Sequence, residues 1–196
     1  GDVVLQNVSL RDENDHLVAA VPTMNVSMKW TSAPSILMGN SSGAAIVSTI
    51  TLEKPDVHVW QLADGSWNVN SLLESSSKND KKSFDGNIVI NDATGAVRFK
   101  DGNVHRLSNL DGNIALNVDG MTKGALNGLL DDHSIAVNGS IDMNKMDDFD
   151  LFVRAESVDI SGIMNMVPSN KNLSITSGIL HDVKAQITGR DGKYSM

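Results

Sequence analysis

The chain has 196 residues and a formal net charge of -8, a size that suits one domain able to bury roughly 70% of its unfolded surface if compact. That acidity argues against a nucleic-acid partner, because phosphate binding needs clustered Lys and Arg to release counterions. Cysteine is absent, which excludes disulfide scaffolds, thiol nucleophiles and thiolate-ligated zinc, and aromatic residues are only 4%, so any apolar surface is aliphatic.

Taken in chain order, the first regular signal is a period-two alternation in which Met24, Val26 and Met28 are separated by Asn25 and Ser27, the mark of a strand with one dry and one wet face. The longest uninterrupted apolar run, Leu17 to Val21, falls far short of the ~20 residues of a membrane helix. Residues 34–38 suit a single helical turn. Ile46, Ile50 and Leu52 then alternate in a second strand, Pro55 withholds a ladder donor, and Val57 and Val59 resume the alternation. Asp64-Gly65 supplies a tight reversal, since the dipeptide accepts positive φ. After it, Trp67 is placed to cover the sheet end and Asn68 to cap a short apolar helix over 69–73 that holds Leu72 and Leu73.

The polar run SSSKNDKKS at 75–83 separates an amino-terminal part, 1–74, from a carboxy-terminal part, 84–196, and reads as a loop within one continuous domain. Beyond it the aliphatic alternation recurs at Ile88 and Ile90, at Ile114, Leu116 and Val118, at Ile135, Val137 and Ile141, and at Leu151 and Val153. A helical segment over 160–167 is stopped by Pro168, and a last strand carries Val183 and Ile187. Eight glycines follow Asp or Asn, namely Gly65, Gly86, Gly102, Gly112, Gly120, Gly128, Gly139 and Gly192, which predicts repeated tight turns. The fold class is therefore mainly β, an antiparallel sheet with its aliphatic residues on one side and a few short helices.

No catalytic, cofactor or metal signature accompanies this pattern. The five histidines stand apart with no HxH or HExxH spacing, and the acidic clusters at Asp12 to Asp15 and Asp147 to Asp150 lack the glycine and distal glutamate of a calcium loop. GxSxG and GxGxxG are both missing. The chain is expected to be non-enzymatic.

The stretch ITLEKPDVHVWQLADGSWNVNSLL resembles a segment of the AsmA/TamB group of bacterial envelope proteins, with Lys54, Pro55, Val57, Val59, Gly65, Trp67, Asn68, Leu72 and Leu73 at the matching places. The upstream VVLQNVSLRDENDHLVAAVPTMNVSMKW and the downstream FDGNIVINDATGAVRFKD and LDGNIALN are also similar to that family. His58 departs from its usual pattern. The resemblance implies a long curved sheet folded as a taco or gutter with an aliphatic concave face, in a chain anchored in the inner membrane and extending through the periplasm. It implies phospholipid acyl chains as partners, a role in lipid transport and envelope biogenesis, and in some members outer-membrane assembly with a barrel protein. This chain is then expected to be a piece of a longer one, with free sheet edges open to self-association. Two other readings keep the same turns and acidity: a scaffold that pairs with unfolded barrel strands, and a closed β-sandwich or solenoid of a surface adhesin.

Overall fold

The computed structural model describes residues 1–12, 14–28, 47–69, 85–117, 120–143, 145–159, 178–190 and 193–195. The helices expected over 34–38 and 160–167, residues 70–73 of the third, the loop 75–83, and Ile46, Val118, Leu72 and Leu73 lie outside these. The strands are β1 (Asp2–Arg11), β2 (Leu17–Met28), β3 (Val47–Glu53), β4 (Asp56–Trp60), β5 (Gly86–Arg98), β6 (Val104–Leu116), β7 (Met121–Leu130), β8 (His133–Asp142), β9 (Lys145–Asp159), β10 (Ile179–Arg190) and β11 (Lys193–Ser195). All belong to one curved sheet in the order β1-β2-β3-β5-β6-β7-β8-β9-β10-β11, with β4 beside β2 and β5. Strands from both sides of 75–83 are thus in the same sheet.

The sheet is mixed, which corrects the antiparallel expectation. Both β3 and β4 run parallel to β5, because Pro55 bends the chain without reversing it. Thr49 pairs with Asn87 before the bend and Trp60 with Arg98 after it, a constant offset, so β3 and β4 are two halves of one strand. A parallel neighbour requires a crossover of a dozen residues or more, and the chain between Trp60 and Gly86 provides it.

Backbone kinks recur at that level on several strands of the sheet. Asn7, Lys54, Asp92, Asn109 and Asp182 all have φ between 48° and 55°, a left-handed conformation that costs side-chain-bearing residues energy and bends a strand as a bulge does. Register shifts fall at the same places, between Ile90 and Ala93 and between Ser108 and Asp111. The kinks are held from neighbouring strands. The Asp92 N–H donates to Asp111 Oδ1 at 2.8 Å, the Lys54 N–H to the Asn91 carbonyl at 2.8 Å, and Lys54 Nζ lies 3.8 Å from Asp92 Oδ2. The buried Val21, Pro55, Ala93 and Ala155 line this crease, whereas Val18, the most deeply buried side chain, and Phe99 lie off it.

Turn chemistry explains the hairpins in part. Gly65, Gly102 and Gly120 have φ of 91°, 93° and 85° in loops, as expected. Gly112, Gly128 and Gly139 instead lie inside β6, β7 and β8, and the β7–β8 reversal uses Asp131 and Asp132 at φ 49° and 66°. Two left-handed residues suit the two-residue turn whose twist matches the strands. Asp131 also clasps β6, accepting from the Arg106 N–H at 2.8 Å and bonding His105 Nδ1 at 2.6 Å.

After β4 the chain turns at Asp64-Gly65 and Gln61 bridges Trp67. The buried Asn68 then completes the β4 edge beyond the reach of β2. Its Oδ1 accepts from the Trp60 N–H at 2.9 Å, its Nδ2 donates to the His58 carbonyl at 3.2 Å, and its own N–H reaches the Trp60 carbonyl at 3.0 Å. The amide of the expected cap residue thus binds a strand edge, and the helix it was expected to cap lies beyond residue 69, outside the described residues. Asn68→Ala strands the Trp60 N–H and the His58 carbonyl, and urea unfolding is expected to show a loss of about 1–3 kcal/mol.

The Asp64 turn carries a pH signature. The Ser66 hydroxyl at 2.6 Å and N–H at 2.9 Å both donate to Asp64 Oδ1, and these bonds hold its carboxyl below the ordinary 3.8. A depressed folded-state pKa gives stability that is present above the ordinary value and lost as pH falls through the folded one. The Ser66 amide resonance should therefore titrate with a midpoint below 3.8, and a midpoint at or above that value would contradict these bonds.

Candidate functional site

Cross-strand register decides which side chains share a face, since residues directly opposite one another project to the same side. One row runs Leu5, Met24, Leu52, Ile90, Gly112, Leu126, Val137, Val153 and Ala185 from β1 to β10. The next parallel row on that face runs Val3, Val26, Ile50, Ile88, Ile114, Gly124, Gly139, Leu151 and Ile187. Neither row contains a polar side chain. The row between them on the other face reads Asn25, Thr51, Val89, Asn113, Ala125, Asn138, Phe152 and Gln186, and its neighbour Ser27, Thr49, Asn87, Ala115, Lys123, Ser140, Asp150 and Thr188. The sheet has one aliphatic face and one polar face.

The remaining expected groove residues extend the aliphatic side. Leu116 and Ile141 flank Thr122 in a further row that ends on Phe149 and Gly189. Ile135 and Val183 lie in line with Gly128 and Ala155. Past the crease Val57 pairs with Ala19 and Gly95, and Val59 with Val97. The kinks explain why the face survives there: an inserted left-handed residue reverses the alternation, so Val57 continues the side of Leu52 despite the odd spacing. Met28 sits at the irregular end of β2 and is 38% exposed.

These side chains are neither sealed nor fully exposed. Among the described residues every strand belongs to the one layer, and the aliphatic rows are half-buried throughout the central strands. On β7, Thr122, Gly124, Leu126 and Gly128 are half-buried, whereas Lys123, Ala125 and Asn127 are exposed. Ala125 is smaller than Leu126 yet more open, so shielding follows the face rather than the side chain. In a single curved layer the better-shielded face is the concave one.

Glycines level that concave floor. A Cβ at Gly128 would meet Leu110 Cδ2 at 2.6 Å, and one at Gly112 would strike Leu126 Cδ2 and the Ala125 carbonyl. The large neighbour leans over the bare backbone, so a bulky and an absent side chain together make an even surface. Sequence periodicity missed Leu126 because β7 reads Thr-x-Gly-x-Leu-x-Gly on its aliphatic side, and Leu107 and Leu110 because the left-handed Asn109 breaks the alternation of β6. Gly112→Ala is expected to destabilise by about 1–3 kcal/mol through overpacking, and Gly124→Ala by less, because its nearest atoms stand at 3.4 Å. Paired thermal melts check the order.

Aromatic rings close one end of this face. Trp67 meets Phe99 edge to face at 5.5 Å, and Phe99 meets His105 likewise at 5.6 Å, a geometry favoured by ring quadrupoles. On the polar face a shallow groove of about 400 Å³ is lined by His16, Leu17, His58, Val59, Trp60, Gln61, Ala96 and Arg98. His16, His58 and His105 each pair with an aspartate, Asp12 at 3.1 Å, Asp56 at 3.0 Å and Asp131 at 2.6 Å. Such a pair orients an imidazole, and a triad further needs a nucleophile on its second nitrogen. The second nitrogen of His105 is buried without a hydrogen-bond partner. Among the described residues no three His, Asp or Glu side chains converge as a metal site. Comparison with protein-family models and with curated proteins found no match to this chain.

Proposed function

We propose that this chain is a non-enzymatic segment of an AsmA/TamB-like envelope protein whose concave aliphatic face shields phospholipid acyl chains in the periplasm. In this reading the parent chain is anchored in the inner membrane and serves lipid transport and outer-membrane biogenesis. The observation that carries the reading is the pair of uninterrupted aliphatic rows crossing nine strand positions of a single layer and left half-exposed. A contiguous exposed apolar surface of this kind marks a binding face, and a closed sandwich would hide it under a second sheet.

Dimensions favour an elongated ligand. Eight inter-strand steps of about 4.8 Å give a row roughly 38 Å in contour, against about 15 Å for one leaflet of a roughly 30 Å hydrocarbon core. Each row is thus longer than one acyl chain. The two rows themselves carry no polar side chain, and about 0.8 kcal/mol per buried methylene gives several kcal/mol for a chain of ten. Nothing along the rows discriminates one position from the next, so a bound chain slides instead of locking. Head-group selectivity is low, and direction is set by whatever holds the two ends.

The test is lipid loading from phospholipid vesicles followed by native mass spectrometry. Wild type retains phospholipid, Ile114→Asp and Val26→Asp lose about tenfold because each puts a carboxylate on an apolar floor, and Ala125→Asp on the polar face loads as wild type. Circular dichroism confirms that all are folded. No retained lipid, or equal losses from both faces, overturns the proposal.

A further inference from the structure

The polar face holds a second groove, of about 390 Å³, whose lining includes Ser134, Ala136, Arg154, Glu156, Asp182 and Lys184. Register sets Arg154 between Ala136 of β8 and Lys184 of β10, so two cations face each other directly. Glu156 and Asp182 lie between the pairs Ala155–Val183 and Ser157–His181, which brings acid beside acid. Like charges directly opposite one another destabilise a ladder. Exchanging Lys184 with Asp182 would turn both repulsions into salt bridges, yet the chain keeps the like-charged order. All four side chains are exposed, and among the described residues none of them has an ion-pair or hydrogen-bond partner.

We infer that this groove binds a small zwitterion in which a phosphate and an ammonium are joined by a short spacer, the chemistry of phosphoethanolamine. The phosphate lies between Arg154 and Lys184, where a planar guanidinium fork and an ammonium both donate to its oxygens. The ligand's own ammonium donates to the carboxylates of Glu156 and Asp182. Base pair and acid pair are two residues of strand rise apart, about 6.6 Å. An ethanolamine spacer bridges that separation, whereas an α-amino acid carries both charges on a single carbon and is too short. Each end of the ligand relieves one of the two repulsions. A lone anion would relieve the bases and then face two carboxylates, and a lone cation would meet the converse problem, so the groove selects both charges in one molecule. Ala136 adds no bulk beside Arg154, which leaves room for the phosphate. The groove is on the face opposite to the aliphatic rows and does not depend on what those rows bind.

The test is a titration of the isotope-labelled chain, followed by amide chemical shifts, with two probes that share this chemistry. Glycerophosphoethanolamine is the diester of a lipid head group without its acyl chains, and O-phosphoethanolamine is the free monoester. Saturable shifts are expected at Ser134, Ala136, Arg154 and Lys184. Tighter binding of the diester assigns the site to lipid head groups, and tighter binding of the monoester to a free phosphate ester. Lys184→Gln and Glu156→Gln should each weaken binding about tenfold, the loss of one hydrogen bond to a charged group. Lys123→Gln, on the same face beside Ser140, should bind as wild type. No saturable shift with either ester overturns the inference, as does equal binding of inorganic phosphate or ethanolamine alone, or a Glu156→Gln variant that binds as tightly as wild type.

Discussion

Everything in this molecule depends on cross-strand register. From Leu5 on β1 to Ala185 on β10 each aliphatic residue faces another aliphatic residue or a glycine. Because side chains alternate with period two, a slip of one residue in any ladder would turn that strand's aliphatic set to the polar face. Most small domains specify register with a second layer that fits over the first. Here the fit lies within the layer, where Leu126 overlies Gly112 and Leu110 overlies Gly128. Glycine, usually a weakness in a strand, pins the register by admitting a neighbour's side chain and nothing larger.

The crease is the second constraint. Four of its five left-handed residues are Asn or Asp and one is Lys54, which matches the lower cost of that conformation for short polar side chains. Lys54 is the exception, and it is the residue tied across the kink to Asp92 and followed by the buried Pro55. On the neighbouring strands β3–β4, β5 and β6 the kinks stand side by side and keep one face aliphatic on both sides of the bend.

The sequence made the aliphatic face largely legible, because Met24, Val26, Ile88, Ile90, Ile135 and Val137 follow simple alternation. What it concealed has identifiable causes. The parallel junction was hidden because Pro55 reads as a stop, and whether a chain reverses at a stop depends on the far crossover rather than on local residues. β7 was missed because three of the four positions flanking Leu126 on its aliphatic face are glycine or threonine. Asp-Gly and Asn-Gly pairs were read as turns, yet at Gly112, Gly128 and Gly139 packing against a neighbour outweighs the turn preference. At Asn68 the sequence did not show that its amide completes the β4 edge; the helix it was expected to cap runs into residues outside the described ones.

Among the described residues no second layer covers the half-buried aliphatic face, and the proposal is that acyl chain does so. The most direct measurement is an intermolecular nuclear Overhauser experiment between methyl-labelled protein and protonated phospholipid. The account predicts contacts from acyl methylenes to the methyl groups of Ile90, Leu126, Val137 and Leu151 and none to Val89 or Ala125. Equal contacts on both faces, or methyl groups of the aliphatic rows that touch one another across a closed core with no lipid signal, would contradict it.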